Sequence, residues 1–373
     1  MEGKKILFIS TNIYPIVGGD TIYSSGLIYR LSKNNNVKVL TFGKNDDFVN
    51  HPIYKNVKII CFTRLSGLFY KIIKLLFNKS LLQDYSFAIK RFLKNEQLHK
   101  YDYILLDHLR CYSIGKSVFN VNRINTTIIY VAHNVESINQ IEKLGALAKK
   151  KFLSGLSNNV HHIEKKMIDS CDSIWTLSKE DLNVITKSHH INNRVVKPYF
   201  PWKRIKYFEN NHTVNNELLI LGSLNWYPNI QGILHFVNDV FPLIIDKNDS
   251  VKLNIVGQNP SSEILNLANS RINIYPNVKS VDPYILKSDL LIIPNRSGTG
   301  SKIKLLESIM KGLPMVLYKE NTLGYDNLDL SSPFVVDNSS QFCESIIDLL
   351  KNPSKGFQFI ENNLKLIQDN TKI

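Results

Sequence analysis

What the 373-residue chain lacks narrows its class before any motif is read. Its four cysteines, Cys61, Cys111, Cys171 and Cys343, lie far apart and form no CxxC pair, which excludes a disulfide scaffold and a thiolate zinc site. No apolar run approaches the roughly 18 residues of a membrane-spanning helix. The run Ile6-Leu7-Phe8-Ile9 is too short for the apolar core of a secretory signal, so the expected compartment is the cytoplasm. There is no GxxxxGK(S/T) loop, which argues against an ordinary ATPase. Gly298-Thr299-Gly300 begins a GxGxxG but the third glycine position holds Ile303, and Gly18-Gly19 does not fit the spacing either, so hydride transfer is not expected. His161-His162 and His189-His190 sit in no HExxH and near no cysteine cluster, and no metal is expected there. Short-period repeats and low-complexity tracts are missing too.

What is present is an ordinary globular composition, 43% hydrophobic, 21% charged and 10% aromatic, over a length that predicts two domains at about 100 to 200 residues each. The net charge of +14 is unevenly spread. Residues 1–100 hold 16 Lys/Arg against 6 Asp/Glu, residues 101–200 hold 13 against 9, and the remainder 17 against 17. A basic first half joined to a neutral second half implies that one lobe meets something large and anionic while the other has a different task.

Short β-type apolar runs at 5–10, 37–42, 57–62, 103–106, 127–132 and 173–177 are mostly separated by helical patterns. A fresh series follows at 218–221, 251–256, 272–275, 290–293 and 315–317. Two rounds of alternating strand and helix predict an α/β fold of two Rossmann-like, doubly wound domains with mostly parallel sheets. The boundary falls in residues 196–216, which carry Pro198, Pro201 and an Asn-rich tail. This gives a first domain over 1–197, a linker over 198–216, a second domain over 217–355, and a terminal helix over 356–373 that is expected to pack back towards the first domain. Ligands of open α/β sheets bind beyond the carboxyl ends of the strands, so two such domains facing each other would put two ligands across one interdomain cleft.

The most informative segment is Pro294-Asn-Arg-Ser-Gly-Thr-Gly-Ser-Lys-Ile-Lys-Leu-Leu-Glu307. It leaves a buried-type strand, passes through Gly298, Thr299, Gly300 and Ser301, and enters a helix whose apolar side includes Ile303, Leu306 and Ile309. Free backbone N–H groups at such a helix start bind anions, and glycines let a phosphate approach closely. Lys302 and Lys304 fall in the first turn, where the helix dipole disfavours cations by roughly 0.3–1 kcal/mol unless an anion is bound. Glu307 lies one turn beyond Lys304, and a carboxylate with two acceptor oxygens suits the paired hydroxyls of a ribose. The competing reading is a helix N-terminus with solvated lysines and an exposed glutamate.

Gly-x-Gly-Ser-Lys-x-Lys-x-Leu-Glu followed by Lys311-Gly-Leu-Pro-Met-Val316 resembles the donor-binding segment of GT-B glycosyltransferases of family 4. Other pieces agree in order. Pro15-Ile-Val-Gly-Gly19 is similar to the PxxGG loop after the first strand, and Val131-Ala-His-Asn-Val-Glu136 to the HNxE strand end. Ile174-Trp-Thr-Leu-Ser178 resembles the close of the first domain. Leu221-Gly-Ser-Leu-Asn-Trp226 with Pro228-Asn229 resembles the opening of the second, and Asn254-Ile-Val-Gly257 its second strand. Thr299 stands where many relatives have a first glutamate, Lys302 where an arginine is usual, and the Arg and Lys that follow the first strand of the second domain are missing from 221–229. Neutralisation of a diphosphate then rests on Lys302, Lys304, Arg296 and helix N-termini.

The resemblance implies that the second domain holds a nucleotide-sugar donor, with Ser223, Asn277 and Val278 near it, and that Gly18 and Gly19 open a helix N-terminus to the diphosphate or an acceptor group. It places His133 beside the donor sugar. Asp107, His108, Asn134 and Glu136 form the acceptor side. It implies sugar transfer with retention at the anomeric carbon by same-face attack within one ion pair, the leaving phosphate taking the acceptor proton, and no cofactor or metal. The basic segment 64–94, in which Lys71, Lys74 and Lys79 interleave with apolar residues, reads as an amphipathic helix for an anionic membrane face, against the plainer reading of a domain helix with solvated lysines. Its aromatics fall in the apolar pattern rather than in an exposed stacking row, so nucleic acid is not the expected partner. Together these give a transferase peripheral to the inner face of the plasma membrane, acting on a saccharide or lipid-linked saccharide acceptor in bacterial O-antigen, lipopolysaccharide, capsule or exopolysaccharide assembly. The rivals are a nucleotide-sugar epimerase of the same fold, which needs no acceptor, and a non-catalytic membrane or nucleic-acid binding module.

Overall fold

The computed structural model describes residues 2–14, 16, 18–49, 51–63, 84, 86–119, 125–138, 151–185, 192–207, 213–296 and 303–369. They fall into two units, the first holding Met1–Ile16 and Asp20–Phe200 and the second Pro201–Lys372.

The first unit is built on strands β1 (Lys5–Ile9), β2 (Asn36–Phe42), β3 (Val57–Phe62), β4 (Tyr103–Asp107), β5 (Thr127–Ala132), β6 (Ser173–Thr176) and β7 (Arg194–Val195). Its helices of six residues or more are α1 (Gly19–Ser32), α2 (Phe87–Asn95), α3 (Lys151–Asp169) and α4 (Lys179–Ile185). The second has β8 (Glu217–Ser223), β9 (Lys252–Gln258), β10 (Ile272–Pro276), β11 (Leu290–Ile293), β12 (Met315–Tyr318) and β13 (Val335–Val336). Its helices of that length are α5 (Tyr227–His235), α6 (Phe241–Lys247), α7 (Asp282–Lys287), α8 (Ile303–Lys311), α9 (Ser339–Lys351) and α10 (Pro353–Asp369).

Every ladder is parallel, and the strand orders are β3-β2-β1-β4-β5-β6-β7 and β10-β9-β8-β11-β12-β13. The two orders are the same doubly wound pattern, each reversing direction between its first and fourth strands. Because helices cover both faces, the central strands are apolar on both sides: Ile6 to Ile9 and Leu290 to Ile293 are all buried. The eleven strands expected from the sequence are present within a residue or two at each end. The two-residue strands β7 and β13 are additional.

The helices are capped as their sequences demand. Ser86 accepts from the Ile89 N–H to start α2, and Asn338 from the Gln341 N–H to start α9. The end of α8 turns through Gly312 at φ +89°, with Gly312 and Leu313 both donating to the Ser308 carbonyl. That turn receives the segment before β8: Ile205 and Lys206 N–H groups donate to the Lys311 carbonyl. The Lys206 ammonium, buried, donates to the Leu286 and Ser288 carbonyls at 3.0 and 2.6 Å and so closes the end of α7. Residues in the expected linker are therefore fixed into the second unit. The last helix starts at Pro353 rather than 356 and packs on α8 and α9 of its own unit.

Lys71, Lys74 and Lys79 lie outside the described residues. The later part of that basic segment is α2, whose Ile89 and Leu93 are buried in the core while Arg91 and Lys94 are exposed, as a domain helix requires. Among the described residues no helix is long and apolar enough to cross a membrane.

Candidate functional site

In the first unit the carboxyl ends of β1, β4 and β5 and the start of α1 bring polar groups together in a buried setting. Asp107, the last residue of β4, is 2% exposed. Its Oδ1 lies 2.7 Å from His133 Nε2, and its Oδ2 accepts from Ser10 Oγ (2.6 Å) and Ser24 Oγ (2.7 Å). Burial opposes the charge on each member of the pair, and each partner overrides it for the other. The His133 imidazolium and the two hydroxyls hold Asp107 below the ordinary aspartate range, and the Asp107 carboxylate holds His133 above the ordinary histidine range. Tyr23 packs edge-on against His133 at 4.9 Å. With Nε2 spent on Asp107, His133 Nδ1 has no hydrogen-bond partner among the described residues and is the ring nitrogen left for a ligand.

A second pair sits beside the first. His108 Nε2 lies 2.9 Å from Glu136 Oε1, while its Nδ1 accepts from the Arg110 N–H at 3.4 Å, which fixes the proton on Nε2. Both nitrogens are thus engaged, so the ring holds Glu136 in place rather than standing ready as a base. His108 takes φ +70°, a left-handed backbone that non-glycine residues avoid, and its ring lies 5.2 Å from that of His133. Glu164 of α3, a residue that the sequence did not point to, accepts from the Glu136 N–H (2.8 Å), the Ser137 N–H (3.1 Å) and Ser137 Oγ (2.7 Å). It thereby fixes the turn that carries Asn134, whose buried Oδ1 has no partner among the described residues.

The second unit solves the equivalent position differently. Lys304, in the first turn of α8, donates to Asn229 Oδ1 (3.2 Å) and Asn295 Oδ1 (3.3 Å). Asn295 Nδ2 in turn donates to Asn229 Oδ1 and the Pro228 carbonyl, and Asn229 Nδ2 to the Ser223 carbonyl. The ammonium is held by neutral amides from the first turn of α5 and the carboxyl end of β11, beside the point between β8 and β11 where the strand order reverses. Gly222 and Gly257 face each other across β8 and β9 there; a Cβ on Gly257 would stand 1.8 Å from the Gly222 carbonyl oxygen, and one on Gly222 2.7 Å from Asn229 Nδ2. One turn further, buried Glu307 accepts from Lys311 Nζ at 2.7 Å, and Lys311 also reaches Asp282 at 2.7 Å. Burial disfavours the Lys311 charge, but the two carboxylates hold it above the ordinary lysine range.

Comparison with known proteins adds to this geometry. Residues 215–352 match the family model of glycosyl transferases group 1. The whole chain is similar to sucrose-phosphate synthase from Thermosynechococcus elongatus, with a TM-score of 0.69 at 12% identity over 98% of this chain and 94% of that one. It is similar to S. aureus TarM, with 0.69 at 10% over 99% and 96%. It is also similar to Anabaena HepE in complex with UDP and glucose, with 0.65 at 12% over 98% and 95%. The fold is GT-B. A relative described as an uncharacterized 44.6 kDa protein in the cps region of Klebsiella pneumoniae is 26% identical over 294 residues, 73% of this chain and 71% of its own length.

Within this GT-B frame, His133, Asp107, His108 and Glu136 are brought into one group, with Asn134 next to it, and Lys304 stands in a separate one. Glu307 is tied to Lys311 rather than exposed. Arg296 is turned elsewhere: its guanidinium lies 4.8 Å over the Tyr318 ring and 3.4 Å from the Asp337 carbonyl. Ser223 Oγ donates to Asn225. Asn277, at φ +54°, accepts from the Asn259 N–H, and the Val278 carbonyl accepts from Gln258 Nε2, so both knit the ends of β9 and β10. Gly18 precedes α1 and Gly19 begins it, but Asp20 fills that first turn and accepts from Thr21 N–H and Asn12 Nδ2, which places a carboxylate where an anion was expected. Gly298, Thr299, Gly300, Ser301 and Lys302 lie outside the described residues, as do His189 and His190; His161 and His162 are exposed on α3. Ser10, Ser24, Glu164, Asn229 and Asn295 are contributors that sequence reasoning missed. Asn295 had a signal, being a polar residue just past a buried strand.

Proposed function

We propose that this protein is a retaining glycosyltransferase that moves a sugar from a nucleoside diphosphate donor to a saccharide acceptor. The observation that carries the reading is the Lys304 ammonium, seated at the switch point of the second sheet inside the residues matched to group 1 glycosyl transferases. A cation fixed at a helix start gains most when a diphosphate arrives, and it stabilises that diphosphate as it departs. Lys302 would share this work. The Glu307 carboxylate, braced by Lys311, would take the ribose hydroxyls.

His133, kept protonated by Asp107, would orient the transferred sugar through Nδ1, and Asn134 Oδ1 would accept from a sugar hydroxyl. The Asp107 and Glu136 carboxylates are both engaged by histidines, which supports same-face attack with the leaving phosphate as base. HepE's complex with UDP and glucose supports the donor class, and the relative in a cps region supports capsule among the surface polysaccharides. A lipid-linked acceptor and a peripheral place on the inner membrane face complete the proposal, resting on the basic first half of the chain.

The test is a thermal-shift panel of UDP, GDP, CMP, ADP and dTDP sugars on wild type and Lys304→Ala. A ligand at a hundredfold excess over Kd stabilises the native state by about 2.7 kcal/mol. One nucleotide class should shift wild type and not the variant. If every class leaves both unchanged, the transferase reading fails.

A further inference from the structure

A basic concave surface of the first unit lies at the amino ends of β1, β2 and β3, the end opposite Asp107 and His133. Side chains alternate along a strand, and in a parallel ladder residues in register share a face. Leu7 and Ile9 of β1, Leu40 and Phe42 of β2, and Ile60 and Phe62 of β3 all pack into the core on the face that α2 covers. One alternation step back, that same face carries Lys5, Lys38 and Lys58. Lys38 and Lys58 are direct partners across the ladder, an arrangement of like charges that weakens a sheet. The change from apolar to basic coincides with the end of α2 at Asn95, where Glu96 turns into extended backbone and the helix no longer roofs the sheet.

The uncovered floor is the base of a cavity of about 510 Å³, whose far wall is the Gln97–Tyr101 turn with Lys100. Four lysines therefore surround a cavity that holds one carboxylate, and that carboxylate is already used. Glu96 Oε1 accepts from Lys38 Nζ and from the Tyr101 hydroxyl, each at 2.7 Å. Asp102 nearby is turned to Lys4 Nζ and the Lys5 N–H. The ammonium groups of Lys5, Lys58 and Lys100 hydrogen-bond to none of the described residues, Lys58 acting on Glu96 only through its charge, and Asn36, Asn95 and Gln97 add amide groups to the lining. A preformed cavity with several cationic donors and a single, engaged carboxylate matches an oxygen-rich dianion.

We propose that this pocket is a second anion site, separate from the donor site, which binds a phosphate-bearing group. The ligand is a phosphate ester, met either as a lipid headgroup or as a free molecule. Lys38, anchored by Glu96, sets the floor, and Lys5, Lys58 and Lys100 close on the phosphate.

The experiment uses the full chain with two probes: pyrophosphate, titrated calorimetrically, and sedimented vesicles of phosphatidylcholine with or without phosphatidylglycerol. Lys5→Glu/Lys58→Glu, both exposed positions, should weaken binding by about tenfold or more, the scale of losing two charge-assisted contacts. Lys304→Ala should retain this event, which separates it from the donor site. Pyrophosphate binding without vesicle binding assigns a free phosphate ester; lysine-dependent binding to the anionic vesicles assigns a headgroup. If the double charge reversal fails to fold, judged by its unfolding curve, Lys58→Gln/Lys100→Gln gives the same readout with milder change. Binding of both probes that is equal in variant and wild type, or binding of neither by wild type, overturns the proposal.

Discussion

The two sheets share one strand order, yet their reversal points are furnished with opposite electrostatics. The first is a closed set of hydrogen-bonded pairs, the Asp107 carboxylate with His133 and Glu136 with the Nε2–H of His108. The second places an ammonium among the neutral amides of Asn229 and Asn295. A fold fixes where a ligand meets the sheet, while the residues around the strand ends decide which charges a ligand meets there. The first group is expected to govern stability and the second affinity.

Breaking the first group gives the largest effect. Asp107→Ala leaves the buried His133 without its counter-charge and Ser10 and Ser24 without an acceptor, and should cost about 3–5 kcal/mol in urea unfolding. Lys304→Ala sharpens the contrast: transfer should fall by about 10²- to 10³-fold, as for loss of one stabiliser of developing charge, with Tm nearly unchanged. A Tm loss as large as that of Asp107→Ala would collapse the distinction. Glu307→Gln is intermediate, since Lys311 keeps Asp282 but loses a buried charged acceptor; about 1–3 kcal/mol of stability should go, with a smaller thermal shift from donor.

The smallest effect is in pH. Asp107, depressed on folding, contributes above the ordinary aspartate range and loses that contribution as pH falls through its folded value. His133, raised on folding, contributes below the ordinary histidine range and loses it as pH rises through its folded value. The pair therefore adds most at roughly pH 4 to 6.5. The stability advantage of wild type over His133→Gln should shrink from pH 6 to pH 9; an advantage that grows instead would show that His133 is neutral in the native state.

The sheets were legible because strands buried on both faces spell themselves out as apolar runs: Leu290 to Ile293 needs no context. Strands β7 and β13 were not, since Arg194-Val195 and Val335-Val336 are too short to show a period and exist only through their neighbours' open edges. His133 and Asp107 were legible as polar residues closing apolar strands. Their pairing was not, because it joins two strands through a 2.7 Å contact that no local pattern encodes. Glu164 is the clearest case: it serves Glu136 and Ser137 from a helix some distance along the chain, and in sequence it is one acidic residue on an amphipathic helix. The left-handed backbone at His108 likewise follows from its surroundings and leaves no trace in residue type.

The facing pair Gly222 and Gly257 bears on how this sequence would be read by mutational scanning. Alanine at Gly257 collides with backbone, whereas alanine at Gly222 mainly displaces the Asn229 amide that steadies Lys304. The first would score as a folding position and the second as a functional one, although they are neighbours in register and keep the same space clear. A scan that ranks positions by growth alone would merge them; one that reports abundance and activity separately would find the border between scaffold and site running between two adjacent strands.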